Sequence, residues 1–201
     1  MGRRFRLFGL GRRGNGGGNS PEYAVQFLGA TDSNYGYINL DSSVVVSGDC
    51  SIFFKYDSYI AGFMVLGNAG NNSYVKINNS SIEVKANFSI SNIPITTPAF
   101  GDVELRRIGT TMSIYIDGAF VTSATVSGNA YTFDSIGKNA ANAVFFKAGQ
   151  IRNVNINNQA IYEMNEGTGT LVADTSGNGN NGTFTTYAGV GGVGLPQWVE
   201  I

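Results

Sequence analysis

Asp102-Val103-Glu104-Leu105-Arg106-Arg107-Ile108-Gly109-Thr110-Thr111-Met112-Ser113-Ile114-Tyr115-Ile116-Asp117-Gly118 is the stretch that decides the fold. In it Val103 and Leu105 fall on one side of an extended chain. Asp102, Glu104 and Arg106 fall on the other, because successive side chains of a strand point to opposite faces. Met112, Ile114 and Ile116 alternate with Ser113 and Tyr115 in the same way. Asp117-Gly118 then supplies the two-residue hairpin signal, since a type I′ turn needs positive φ at both central positions. The return strand is expected over Ala119–Val126.

The same period of two runs outward in both directions. Cys50, Ile52, Phe54 and Tyr56 share one face in Asp49–Tyr56, with Ser51 and Lys55 opposite. Ser73–Ile77 and Ser81–Lys85 are joined by Asn78-Asn79-Ser80, again hairpin chemistry. Further strands are expected at Tyr23–Leu28, Tyr35–Leu40, Ala61–Leu66, Val144–Lys147, Gln150–Ile156 and Ala160–Met164. Turn signals recur every 8–12 residues or so, and no segment of ten or more shows a clear 3.6-residue period. The expectation is an all-β, two-sheet antiparallel β-sandwich.

Composition agrees and excludes several chemistries. Of 201 residues, 13% are charged, about half the usual share. With 28 Gly, 22 Asn, 17 Ser and 14 Thr, small polar side chains replace charge at the surface. There is no His, so Ser-His-Asp and Cys-His nucleophile systems and an imidazole switch are excluded. Zinc sites of His and Cys go with them. The single Cys50 permits no internal disulfide and reads as a small buried hydrophobe. No run approaches the roughly 18 apolar residues of a membrane span.

The net charge of −1 conceals a split. Residues 1–13 hold Arg3, Arg4, Arg6, Arg12 and Arg13 and no acid, a charge of +5. The other 188 residues hold 8 basic against 14 acidic side chains, a charge of −6. Residues 1–21 therefore read as a basic arm and Gly-rich linker, and 22–201 as the β domain. The arginines alternate with Phe5, Leu7, Phe8 and Leu10, without the apolar run of a secretory signal.

Three segments resemble the concanavalin A-like lectin/glucanase superfamily in its laminin-G-like branch. One is the quoted hairpin. The second is Ile136-Gly137-Lys138 followed by Phe145-Phe146-Lys147-Ala148-Gly149-Gln150-Ile151-Arg152-Asn153-Val154. The third and most specific is Tyr162-Glu163-Met164-Asn165-Glu166-Gly167-Thr168-Gly169 with Asp174-Thr175-Ser176-Gly177-Asn178-Gly179-Asn180-Asn181-Gly182-Thr183. The resemblance implies a concanavalin A-like jelly roll. In many such domains the third motif stands first, so its late position leaves two arrangements open. One is a circularly permuted sandwich; the other is a truncated unit from Tyr162 to Ile201 added to a complete one. A single domain is favoured, since 40 residues with few aliphatics cannot bury a core alone.

The resemblance also implies functions. Lectin relatives bind Ca²⁺ through Asp and Asn loops, which makes Asp174, Asn178, Asn180 and Glu166 the candidate ligands. They also bind sugars on aromatic faces, with Tyr35, Tyr37, Tyr56, Tyr59, Tyr115 and Trp198 as candidates; Trp198 is better suited to pinning the C-terminal strand. Glucanases use strands of alternating acids, and no such run occurs; Asp102 and Glu104 beside Arg106 read as a solvated face. Gly177-Asn178-Gly179-Asn180-Asn181-Gly182 fits G-x-G-x-x-G but lacks the strand-to-helix context of a nucleotide site. A tight loop is the simpler reading.

An arm, a spacer and a lectin-like sandwich resemble a virion component of a bacteriophage: a head fibre, capsid decoration or tail appendage. On that reading Arg3, Arg4, Phe5, Arg6, Phe8, Arg12 and Arg13 dock to capsid or tail proteins. The domain meets host surface glycans, the protein is a homo-oligomer and not an enzyme, and its place is the virion. It neither enters a membrane nor binds nucleic acid. The alternatives are a free carbohydrate-binding module and a polysaccharide hydrolase of the glucanase type.

Overall fold

The computed structural model describes residues 21–27, 36–57, 62–96, 100–138, 149–186 and 195–201. The arm, Tyr35, Tyr59 and the expected strand Val144–Lys147 lie outside these. Among the described residues there is no helix.

Among the described residues, sixteen strands run in chain order. They are β1 (Tyr23–Phe27), β2 (Gly36–Val46), β3 (Cys50–Tyr56), β4 (Phe63–Gly67), β5 (Tyr74–Ile77), β6 (Ser81–Ala86), β7 (Ser89–Pro94) and β8 (Gly101–Ile108). Then come β9 (Thr111–Ile116), β10 (Ala119–Thr125), β11 (Tyr131–Ile136), β12 (Gly149–Ile156), β13 (Ala160–Tyr162), β14 (Leu171–Val172), β15 (Gly182–Thr186) and β16 (Gln197–Glu200).

They form two antiparallel sheets of eight strands, a β-sandwich. The first runs β10-β9-β8-β3-β12-β1-β16, with β13 also paired to β12. The second runs β14-β15-β2-β11-β4-β5-β6-β7. Past Tyr162 the chain contributes to both sheets: β15 pairs with β2 and β16 with β1. Met164, Val172 and Phe184 belong to the same core as Ile52 and Phe133.

The alternation seen in the sequence sets the inner faces. Ile52, Phe54 and Tyr56 of β3 are wholly buried, as are Val103 and Leu105 of β8 and Met112 and Ile114 of β9. Burying each such side chain is worth about 1.5–3 kcal/mol, the main stabilisation of a sandwich without disulfides. Cys50 is buried among them. The hairpin between β9 and β10 has φ of 50° at Asp117 and 78° at Gly118, the left-handed values that its sequence demands. Asp117 also accepts from the Asp102 amide (3.0 Å) and so ties the turn to β8.

Trp198 is half-buried, packs on Phe184 with ring centroids 5.0 Å apart, and donates to the Gly169 carbonyl at 3.0 Å. It fastens β16, in the first sheet, to β15 in the second.

Candidate functional site

Two places deserve comparison as sites, and the first is the Asp-Gly-Asn loop between β14 and β15. Asp174 is its hub. One carboxylate oxygen accepts from the Ile161 and Ser176 amides (2.9 Å each); the other accepts from Ser176 Oγ and the Asn180 amide (2.9 Å each). Burial pushes the Asp174 carboxyl up, but these four donors outweigh it and hold it below the ordinary range. The Asn178 and Asn180 side-chain amides both donate to the Gln159 carbonyl (2.9 and 3.2 Å), and Asn180 Oδ1 accepts from Ser42 Oγ. The Tyr162 hydroxyl donates to the Asn180 carbonyl at 2.6 Å. Burial, then the nearby Asp174 and Asp41 carboxylates, raise its pKa. Gly177 and Gly179 take φ of 90° and 73°, which only glycine adopts freely. The loop is thus tight and internally satisfied.

That geometry tests the calcium expectation. Ca²⁺ takes 6–8 oxygen ligands. Asp174 and Asn180 are brought together, but both Asp174 oxygens are already turned to N–H and O–H donors. Asn178 is held to Gln159 by its amide. Glu166 bonds the Ala173 amide at 2.7 Å; its second oxygen is buried without a partner among the described residues. No group of three or more acidic, cysteine or histidine side chains is spaced for a metal among the described residues. The donor set does not fit Ca²⁺.

The second place is the outer face of the first sheet. Cross-strand pairing aligns Asn155 of β12, Phe53 of β3, Glu104 of β8, Tyr115 of β9 and Phe120 of β10 in one row. Tyr115 and Phe120 meet edge to face, centroids 5.8 Å apart. The Arg106 guanidinium lies 4.7 Å from the Tyr115 ring centre and grips both oxygens of Glu104 at 3.0 Å. Ser51 Oγ donates to the same carboxylate at 2.8 Å. Beside the row, Lys55 and Asp102 pair at 3.3 Å. The solvated face expected for Asp102, Glu104 and Arg106 is therefore real, and its charges neutralise one another. What remains open is aromatic: Phe120 is 59% exposed.

Of the tyrosines named from sequence, Tyr115 lies in this row. Tyr37 corrects the expectation: it is 8% exposed, on the other sheet, with Lys138 Nζ 4.1 Å above its ring. A ring so covered offers no face to a sugar. Tyr56 is wholly buried, stacked on Phe63. Tyr35 lies outside the described residues. Phe120 and Phe53 were not singled out by the sequence. The signal for Phe53 was its place opposite Ile52 and Phe54. The signal for Phe120 was weaker, because a bulge between Phe120 and Thr122 shifts the face of everything after it.

Compared with known proteins, no family model matches the chain, no curated protein matches it, and no solved structure matches it.

Proposed function

We propose that the protein is a non-enzymatic adhesion component of a virus particle, of the bacteriophage head-fibre, decoration or tail-appendage kind. Its sandwich is laminin-G-like, and the outer face of β3, β8, β9 and β10 meets saccharide. The observation that carries this reading is the row Phe53–Glu104–Tyr115–Phe120 on a rigid sheet. Ring faces stack on the apolar faces of pyranoses, and an aromatic platform framed by hydrogen-bonding groups is the usual lining of a small-molecule site. Self-paired charges on the face suit a neutral sugar. The non-enzymatic part rests on the acids: Asp102, Glu104, Asp57, Glu22, Asp174 and Asp117 are engaged in ion pairs or backbone bonds. The attachment part rests on the +5 arm, whose Phe5 and Phe8 would fill pockets while Arg3, Arg4, Arg6, Arg12 and Arg13 pair with acids.

The test is binding of the full chain to a panel of neutral oligosaccharides, with Phe120→Ala and Tyr115→Ala alongside. Binding that falls at least about tenfold in both variants supports the reading. No binding, or binding indifferent to both changes, overturns the saccharide part. A free carbohydrate-binding module would use the same row, so the arm separates the two. Replacing Arg3, Arg6, Arg12 and Arg13 by Ser abolishes incorporation into particles on our reading and changes nothing for a free module.

A further inference from the structure

The first sheet ends on β10 and the second on β7, and these two edges lie side by side on one wall of the sandwich. Edge strands expose unpaired N–H and C=O groups. Natural proteins blunt them with charge, proline, shortness or a bulge. The opposite wall follows that rule: β14 has two residues, and the four-residue β16 ends on Glu200. The wall of β10 and β7 follows it less fully, with one bulge in β10 and one terminal proline in β7 among the described residues. Ala119-Phe120-Val121-Thr122-Ser123-Ala124-Thr125 is seven residues long without a charge or a proline. Ser89-Ile90-Ser91-Asn92-Ile93-Pro94 has no charge either, and its proline stands at the end. The bulge of β10 lies between Phe120 and Thr122, so Thr122–Thr125 keeps regular pairing. Large apolar side chains flank this wall on both outer faces: Phe120 on the first sheet is 59% exposed, and on the second Ile90 is 53% and Phe88 67%. Phe88 also holds φ of 69°, a strained value for an aromatic residue.

From these edges we infer that β10 is an interaction surface for a second copy of this chain. The two β10 strands pair antiparallel about a two-fold axis and join their first sheets into one. The uncharged sequence suits a second copy. In a two-fold antiparallel pair a strand faces itself, so any charge on it meets its own like charge nearby. Over Thr122–Thr125 small side chains face small ones, and β-branched threonine suits the ladder. The join also sets two Tyr115–Phe120 platforms on the same face of one continuous sheet. The surface itself does not depend on what those platforms bind.

Sedimentation equilibrium of the full chain from about 1 to 100 µM, where standard-size interfaces associate, is the test. The expected mass is that of a dimer. Ser123→Lys, on an exposed edge position, returns a monomer, and Gln197→Lys on β16 leaves the dimer intact. Amide exchange of Ala119–Thr125 in the unaltered chain slows as concentration rises, a readout that needs no variant to fold. A monomer at the top of the range overturns the inference. So does an assembly indifferent to Ser123→Lys, or one whose protection falls outside β10.

Discussion

Arg106 and Arg107 are neighbours on β8, and each stacks on a tyrosine at nearly the same distance, 4.7 Å to Tyr115 and 4.8 Å to Tyr131. Alternation sends them to opposite sides of the sheet and into different physics. Arg107 is wholly buried in the core-facing layer and is held by carbonyls rather than by an acid. Its Nε donates to the Gly48 carbonyl at 2.9 Å and its Nη1 to the Asn129 carbonyl at 2.6 Å. The planar fork thus ties the β2–β3 turn to the segment before β11, far apart in sequence. Arg106 grips Glu104 on the open face, where its side chain is 39% exposed. The same side chain closes the end of a sandwich in one case and shapes a platform in the other.

Removing the inner arginine should have the largest effect. Arg107→Ala leaves a cavity against Tyr131 and strips donors from the Gly48 and Asn129 carbonyls, a loss of about 3–4 kcal/mol in denaturant titration. Arg107→Lys recovers less than half of it, because an ammonium cannot span both carbonyls as a fork does. If the lysine variant is as stable as the parent, the clasp reading is broken.

The Asp174 loop is the next test, since it too is held without an opposite charge. Asp174→Ala strands three backbone amides and a hydroxyl and costs about 2–3 kcal/mol, with amide exchange quickening first at Ile161, Ser176 and Asn180. The acid limb has a fixed sign. Asp174 titrates below its unfolded value of about 3.9, so its contribution is complete above that pH and is lost as pH falls through the lower, folded value. Asp174→Asn flattens this limb. Adding Ca²⁺ leaves the melting temperature unchanged; a rise would reinstate the cation.

Tyr131 sharpens the inner half of the comparison. Burial pushes its phenol up to about 12, against a smaller pull down from Arg107. Its hydroxyl is buried with no hydrogen-bond partner among the described residues. Stability drawn from the neutral phenol is complete below about pH 10 and declines as pH rises from there towards 12. Tyr131→Phe removes that decline. At neutral pH it changes stability by less than about 1 kcal/mol, in the stabilising direction, because an unsatisfied hydroxyl is removed while the ring remains under Arg107.

Much of this was legible in the sequence where period two is strict. β3, β8, β9 and the Asp117-Gly118 turn could be read nearly to the residue. β7, β11, β14 and β15 could not. Pro94 obscures β7, Asp134 and Ser135 break the apolar row of β11, and β15 is absorbed into the Gly-Asn run before it. β14, at two residues, is too short for any pattern. Alternation already turns Arg107 inward, but no local signal names its partners, which are backbone carbonyls contributed by Gly48 and Asn129. The loop motif singled out Asp174, but as a Ca²⁺ ligand rather than as a hydrogen-bonding hub. Three of its four bonds are local, from Ser176 and Asn180; only the fourth, from the Ile161 amide, depends on β13 running beside the loop.

The smallest effect belongs to the outer arginine, and it divides the two most cleanly. Arg106→Ala breaks a partly exposed ion pair and a surface ring contact, worth less than about 1 kcal/mol together. Because that pair sits in water, its contribution shrinks as salt rises from about 0.1 to 1 M, over which the screening length falls from about 10 to 3 Å. The Arg107 effect has no such dependence, since neutral carbonyls hold the guanidinium and the side chain is wholly buried. A double-mutant cycle of Arg106→Ala with Glu104→Gln, run at both salt concentrations, isolates the pair. Coupling that vanishes at high salt makes Arg106 a surface residue whose value lies in how it orients Tyr115. Coupling that persists means that the face is drier than its exposure implies, and the contrast between the two arginines is then one of degree.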